Sequence, residues 1–248
     1  MKAPIPLIAL YSPWPECGKS SVANLLVDAH RYLRVSFADP MRKMLVTFLV
    51  ECGLSEQKAW WYLTDSVGKS IPIPEVPGNP TGRHLMRTIG TEWGRDCVTK
   101  KLWTGIAQQK IEAARAGVTY DGVVVDDLRF GNEYELMEEM GGLKVNISRL
   151  RNKPLNYDNV EERHVSDGGL NDEWFEEVIC NDGDSLADIV RIKNRLLARA
   201  QGLTAGPDAD GWCGPKATRL RADGEVEGCW VRNGEIQWRV IGAAGVAV

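Results

Sequence analysis

The stretch between residues 6 and 29 constrains this chain more than any other. Residues 6–12, PLIALYS, form a short apolar run that ends in Pro13, Trp14, Pro15, Glu16, Cys17 and Gly18. Val22, Leu25, Leu26 and Ala29 then recur at the i, i+3, i+4, i+7 spacing. An unbroken apolar run closed by turn residues suits a strand buried on both faces, and the spacing after it gives a helix one apolar side. A strand that passes straight into a helix of this kind must pair with parallel neighbours, because parallel strands need a crossover connection.

The same alternation continues downstream. A second strand is expected at 34–37, followed by a helical stripe of Met41, Met44, Leu45, Phe48, Leu49 and Cys52 that begins just after Pro40. Trp60, Trp61 and Tyr62 fit a short helix, and the four prolines of IPIPEVPGNP suggest a surface excursion. Helices are expected over 81–90 and 93–116, the second carrying Val98, Leu102, Trp103, Ile106 and Ala107 and stopped by Gly117. Residues 122–126, GVVVD, are the strongest strand by β-branched content. A helix over 132–140, a strand over 143–148 and a last helix with Leu186, Ile189, Val190, Leu196 and Leu197 on one side complete the pattern, with residues 181–185 supplying its caps. The alternation predicts an α/β fold, a parallel sheet with helices on both faces.

After Gly202 the texture changes to a linker, and residues 229–238 read as two strands around an Asn233-Gly234 turn, a small β hairpin appendage. The expected division is a main domain over 1–203, with a helical part at about 40–116 and a lid at about 149–165, and an appendage over 204–248. A net charge of −4 argues against bulk electrostatic capture of a nucleic acid polymer. No run approaches the roughly 18 apolar residues of a membrane span, and Met1-Lys2-Ala3-Pro4 begins no secretory signal. Six cysteines without a CxxC grouping fit neither a zinc ligand set nor a disulfide scaffold, and a cytoplasmic location is the expectation.

Four groups of residues carry chemical meaning. Gly18-Lys19-Ser20 sits between a strand and a helix, where backbone amides at a helix start, a lysine and a hydroxyl together suit phosphate and its magnesium ion. Pro13 stands where GxxxxGK[ST] has its first glycine, and Pro15 stiffens the loop further. Candidate nucleotide contacts are Pro13, Trp14, Glu16, Cys17, Gly18, Lys19, Ser20 and Ser21. Asp126 and Asp127 close the GVVVD strand, and a carboxylate there can hold a metal ion or its water shell; read alone, the pair could equally cap a turn. Asp39 and Arg42, then Arg83, Arg87 and Arg95, form a third group able to bind a phosphate-bearing acceptor, although arginines also decorate solvated helix faces. Arg149, Arg151, Lys153 and Arg163 form the fourth, placed like a lid.

Taken in order, several segments resemble the deoxynucleoside monophosphate kinases known chiefly from bacteriophages. They are the phosphate loop, Phe37-Ala38-Asp39-Pro40, Arg83-x-x-Met86-x-x-Ile89-Gly90-Thr91-Glu92-x-Gly94-Arg95 with Trp103, Asp127-Leu128-Arg129-Phe130-x-Asn132-Glu133, and His164-x-Ser166-Asp167. Asp167 stands where glutamate is more usual. The resemblance implies a P-loop fold, ATP as cosubstrate, Mg²⁺ as cofactor and a deoxynucleoside monophosphate as acceptor. It aligns the family's Asp-x-Arg on Asp127 and Arg129. It implies that Lys19, Asp127 and Arg129 do the catalytic work, with Ser20, Asp127 and Asp126 at the metal. It gives Asp39, Arg42, Arg83, Arg87, Glu92 and Arg95 to the acceptor, and Arg149 and Arg151 to the lid. With composition and hydropathy already arguing for a soluble cytoplasmic protein without membrane or nucleic acid partners, the location becomes the host cytoplasm if the chain is of phage origin, and a homodimer is left open. The competing readings are a P-loop kinase for another small acceptor, such as dephospho-coenzyme A or a nucleoside, and a nucleotide-binding module that transfers nothing.

Overall fold

The computed structural model describes residues 5–13, 15–149, 169–181, 183, 185–200, 218–220, 225–232 and 235–243. Its centre is a five-stranded parallel sheet in the order β2-β3-β1-β4-β5, made of β1 (Leu7–Tyr11), β2 (Tyr32–Val35), β3 (Gly122–Leu128), β4 (Leu143–Ser148) and β5 (Glu177–Cys180). β1 is central, and all five of its residues are buried, as a strand covered on both faces must be. Helices α1 (Lys19–His30) and α7 (Leu186–Ala200) pack Val22, Ala23, Leu26, Ile189, Ile192 and Leu196 against Ile8, Leu10, Val124, Val145 and Ile147. α6 (Gly131–Glu139) links β3 to β4.

The α/β expectation is therefore borne out, with corrections in detail. β2 lies two residues earlier than expected. β5 was not anticipated, because Glu176 and Glu177 make its sequence look like a loop; Glu177 is 2% exposed and is paired by Arg195 and Arg199 of α7.

By its internal contacts the chain divides into one compact unit of residues 1–34 and 111–248 and another of residues 35–110. In the second, α2 (Asp39–Glu51) and α3 (Glu56–Thr64) enclose a core of Leu45, Leu49, Leu54, Ala59, Tyr62 and Leu63. The proline-rich stretch contributes to that core rather than skirting it. Ile73 and Val76 are 0% and 4% exposed, and Pro72 bridges to Thr81. Conversely, Met44 and Phe48, placed by their spacing on the apolar stripe, are exposed.

The helix expected over 93–116 is interrupted. α4 (Gly82–Arg87) runs into a π-helical segment, Thr88–Val98, which ends at Thr99 in extended backbone before α5 (Leu102–Ala116) begins. The break lets Trp103 turn back onto the π segment, where its Nε1 donates to the Gly90 carbonyl at 2.8 Å and its ring lies against Gly94. The buried stripe of α5 is accordingly Trp103, Ala107, Ile111 and Ala114, with Val98 exposed.

The C-terminal part forms a separate antiparallel sheet of β6 (Thr218–Leu220), β7 (Glu225–Arg232) and β8 (Glu235–Ala243). β7 and β8 flank the Asn233-Gly234 dipeptide, which lies outside the described residues.

Candidate active site

Every strand of the parallel sheet points its carboxyl end the same way, so the loops after β1, β3, β4 and β5 gather at one edge, where open α/β sheets bind ligands. The loop after β1 ends in Gly18, whose φ of +93° puts it in the left-handed region that glycine tolerates best. Gly18 is the N-cap of α1 and supplies no capping side chain. The first intrahelical bond comes from Val22 N to Gly18 O, so the amides of Lys19, Ser20 and Ser21 precede the helical ladder. Uncapped first-turn amides with the positive end of the helix dipole behind them suit an anion. Ser20 and Ser21 are exposed, Cys17 is buried and Pro13 is half-buried. Trp14 lies outside the described residues.

Lys19 is the electrostatic centre of this loop. Burial, and then the nearby Arg129 guanidinium, push its pKa from the ordinary 10.5 down to about 8, while Cys17, Asp127 and Asp126 pull the other way. Burial likewise pushes the Cys17 thiol up. Lys19 therefore sits among charged residues contributed by the end of β3, and burial outweighs their attraction for its proton.

The aspartates reach that position through an irregularity in the sheet. β1 and β3 pair Ala9 with Val125 and then Tyr11 with Leu128, so Leu10 alone stands opposite both Asp126 and Asp127. A β-bulge of this kind redirects side chains that strict alternation would send to opposite faces. Asp126 is 7% exposed and ion-paired with Arg34 of β2, which also donates to Asn24 Oδ1 of α1 at 2.9 Å. Asp127 is half-buried and acts on Lys19 more strongly than Asp126 does.

Two residues missed by sequence reasoning shape the rest of this edge. Glu133, 2% exposed, accepts the amides of Arg129 at 2.9 Å and Phe130 at 3.1 Å, tying down the turn that presents Arg129. Its signal was the capping pattern three residues after Phe130. Asn181, expected only as a helix cap, instead donates from Nδ2 to the Cys17 carbonyl at 2.9 Å. The capping falls to Ser185, whose Oγ accepts from Asp188 N at 3.2 Å. Arg149 donates from Nε to Asn181 O at 2.7 Å and from Nη2 to Gly183 O at 2.8 Å, so its guanidinium is held on backbone carbonyls. Arg151, Lys153, Arg163, His164, Ser166 and Asp167 lie outside the described residues.

Within residues 35–110, Arg42 pairs with Asp39 at 2.7 Å and donates to Ser36 Oγ at 3.2 Å. Arg83 and Arg87 project from α4 and are exposed, as is Glu92 on the π segment; Arg95 is half-buried. Among the described residues no group of three His, Cys, Asp or Glu side chains could hold a metal ion, and no helix is long and apolar enough to cross a membrane.

A parallel sheet in this order, with the Gly-Lys-Ser loop after its central strand and a carboxylate pair after the neighbouring one, is the architecture of the P-loop kinases. Comparison with known proteins narrows the class. Residues 75–192 match the family model described as deoxynucleotide monophosphate kinase, which bears out the resemblance read from the sequence. The chain is 29% identical over 112 residues to a deoxynucleoside-5'-monophosphate kinase of Escherichia phage T5, covering 43% of this chain and 42% of that protein. It is 27% identical over 139 residues to a putative deoxynucleotide monophosphate kinase of Acanthamoeba polyphaga mimivirus, covering 53% of this chain and 68% of that protein. The family match starts well after the phosphate loop, so that loop is recognised from its own residues and geometry.

Proposed function

We propose that this protein transfers the γ-phosphoryl group of ATP to a deoxynucleoside 5'-monophosphate. The observation that carries the reading is Lys19, desolvated beside the uncapped start of α1 and facing the end of β3, a cation waiting for an anion. Transfer between two phosphates asks little of a general base, because the attacking atom is already an anionic oxygen. What the protein must supply is alignment and neutralisation of charge.

In this reading the amides of Lys19, Ser20 and Ser21 and the Lys19 ammonium hold the β- and γ-phosphates of ATP. Pro13, Glu16 and Cys17 belong to the same loop and would line the nucleotide, and the sequence assigns Trp14 to it as well. Arg129, fixed by Glu133, neutralises charge that builds on the transferring group. The residues present suit a magnesium ion that arrives with the nucleotide rather than one held in an all-protein cage, since Mg²⁺ is commonly bound by one or two carboxylates together with substrate phosphates. In this reading Ser20 and Asp127 hold it, whereas Asp126, engaged by Arg34, acts as a support. Bound there, the ion would offset the negative charge of the phosphates. Arg42, Arg83 and Arg95 take the acceptor phosphate, with Arg87 flanking them, and Asp39 and Glu92 the acceptor's sugar or base. Arg149 serves the donor side in this reading, and Arg151, outside the described residues, keeps the lid role that the sequence suggests.

The test is ADP release from ATP and Mg²⁺ with each of the four deoxynucleoside monophosphates, beside the matching ribonucleotides and a Lys19→Ala variant. Turnover that requires a deoxynucleotide and Lys19 supports the reading. ATP binding without acceptor-dependent release from any of these nucleotides would refute it.

A further inference from the structure

The phosphate loop of this chain lacks the glycine that usually opens it, and Pro13 stands in that place. Something else must fix the path of the backbone into Gly18. The loop's last carbonyl before Gly18, that of Cys17, accepts from Asn181 Nδ2 at 2.9 Å in a bond buried from solvent. Gly18 is packed on the same side chain, since a Cβ added there would lie 2.5 Å from Asn181 Nδ2 and 3.1 Å from Ile189 Cδ1. The Asn181 backbone is itself held from two sides, and one of the holders is anchored in turn. Its amide donates to Ser148 O at 2.7 Å, its carbonyl accepts from Arg149 Nε at 2.7 Å, and Arg149 continues to Gly183 O at 2.8 Å. A connected set of hydrogen bonds thus runs from the ends of β4 and β5 to the turn that presents Lys19.

The other half of the Asn181 side chain points to the same role. Asn181 is 2% exposed, and its Oδ1 has no hydrogen-bond partner among the described residues. A buried acceptor left unpaired costs stability, and an apolar side chain of the same shape would remove that cost. Asparagine is therefore poorly explained by packing, and the useful part of it is the NH₂ group aimed at Cys17 O.

We infer that Asn181, held by Arg149, is a positioning residue for the donor phosphates: it fixes the Cys17–Gly18 peptide and so sets the Lys19 and Ser20 amides that receive the nucleotide. The inference rests on the proposed phosphate-loop reading.

The decisive variants are Asn181→Leu, which keeps the branched outline and loses the donor, and Asn181→Asp, which turns an acceptor toward the Cys17 carbonyl. For Asn181→Leu the expected result is a rise of about tenfold in both the Kd and the KM for ATP, the scale of one lost buried hydrogen bond together with a displaced amide cradle. KM for the acceptor should stay within about twofold, and the melting temperature should change little, because loss of the unpaired Oδ1 offsets the orphaning of the Cys17 carbonyl. Asn181→Asp should bind ATP more weakly still. Hydrogen exchange of the amides of residues 15–21 in the nucleotide-free protein should quicken in both variants. ATP affinity and loop exchange that match the parent in Asn181→Leu, or undiminished affinity in Asn181→Asp, would overturn the inference. If Asn181→Leu melts early, the exchange data and the Asn181→Asp affinity decide it. A parent protein that binds no ATP, or binds it equally after Lys19→Ala, would instead remove the underlying reading and this inference with it.

Discussion

Lys19→Met should make the nucleotide-free protein more stable at neutral pH while abolishing its use of ATP. The ammonium is pushed from 10.5 to about 8, first by burial and second by Arg129, which means that the folded state holds the charged form at a cost. At about 1.4 kcal/mol for each tenfold change in proton affinity the unscreened cost is about 3.5 kcal/mol, and the water that reaches this half-buried side chain reduces it to roughly 1–3 kcal/mol. Methionine keeps much of the aliphatic stem and removes the charge, so the variant should gain that amount below pH 8.

The sign with pH follows from linkage. Between about 8 and 10.5 the unfolded chain binds the Lys19 proton and the folded one has released it, so parent stability rises across that window and the advantage of the variant disappears by its upper end. Urea unfolding of both proteins at pH 7, 9 and 10.5, with and without saturating ATP, measures it. ATP should raise the stability of the parent and leave the variant unchanged. A variant less stable than the parent at pH 7 without nucleotide would refute the reasoning, because it would show that Asp126, Asp127 and Cys17 already compensate Lys19 in full.

Other expectations follow from neighbouring contacts. Asp127→Asn should reduce turnover about a hundredfold or more and weaken its dependence on Mg²⁺, whereas Asp126→Asn should act mainly on stability by breaking the ion pair between the buried Asp126 carboxylate and Arg34; kinetics over a magnesium series separate the two. Gly18→Ala must adopt φ near +93° with its methyl against Asn181, which should cost at least about 1–2 kcal/mol and weaken ATP binding, measured by unfolding and titration. Glu133→Ala leaves the amides of Arg129 and Phe130 without their acceptor and should lower kcat far more than it raises the KM for ATP, as steady-state kinetics would show. Gly94→Ala places a methyl in the Trp103 ring and should destabilise the protein by about 1–3 kcal/mol, with loss of the near-ultraviolet tryptophan signal.

The parts legible in the sequence were those whose signals are local. β1, the Gly18-Lys19-Ser20 turn, α1 and the GVVVD strand each declare themselves within a few residues, and together they pointed to the edge of the sheet where Lys19 sits. What escaped depended on partners distant in the chain. β5 reads as a loop until Arg195 and Arg199 neutralise Glu177 from another helix. Asn181 looks like a helix cap until a loop 164 residues earlier is brought beside it. Ile73 and Val76 sit among prolines that signal surface, and only the packing of α2 and α3 makes them core. Periodicity also overran the end of the π segment, because it records which residues are apolar and not where Thr99 breaks the ladder.

The doubled residue in β3 places a constraint on how this strand could change length. At one register position the strand carries two carboxylates opposite Leu10, one paired with Arg34 and one acting more strongly on Lys19. Removing either aspartate would tidy the strand pairing and leave one carboxylate for two tasks. The locally irregular sheet is thus the version that can serve both, and a sequence redesigned for ideal strand geometry at this point would forfeit one of them.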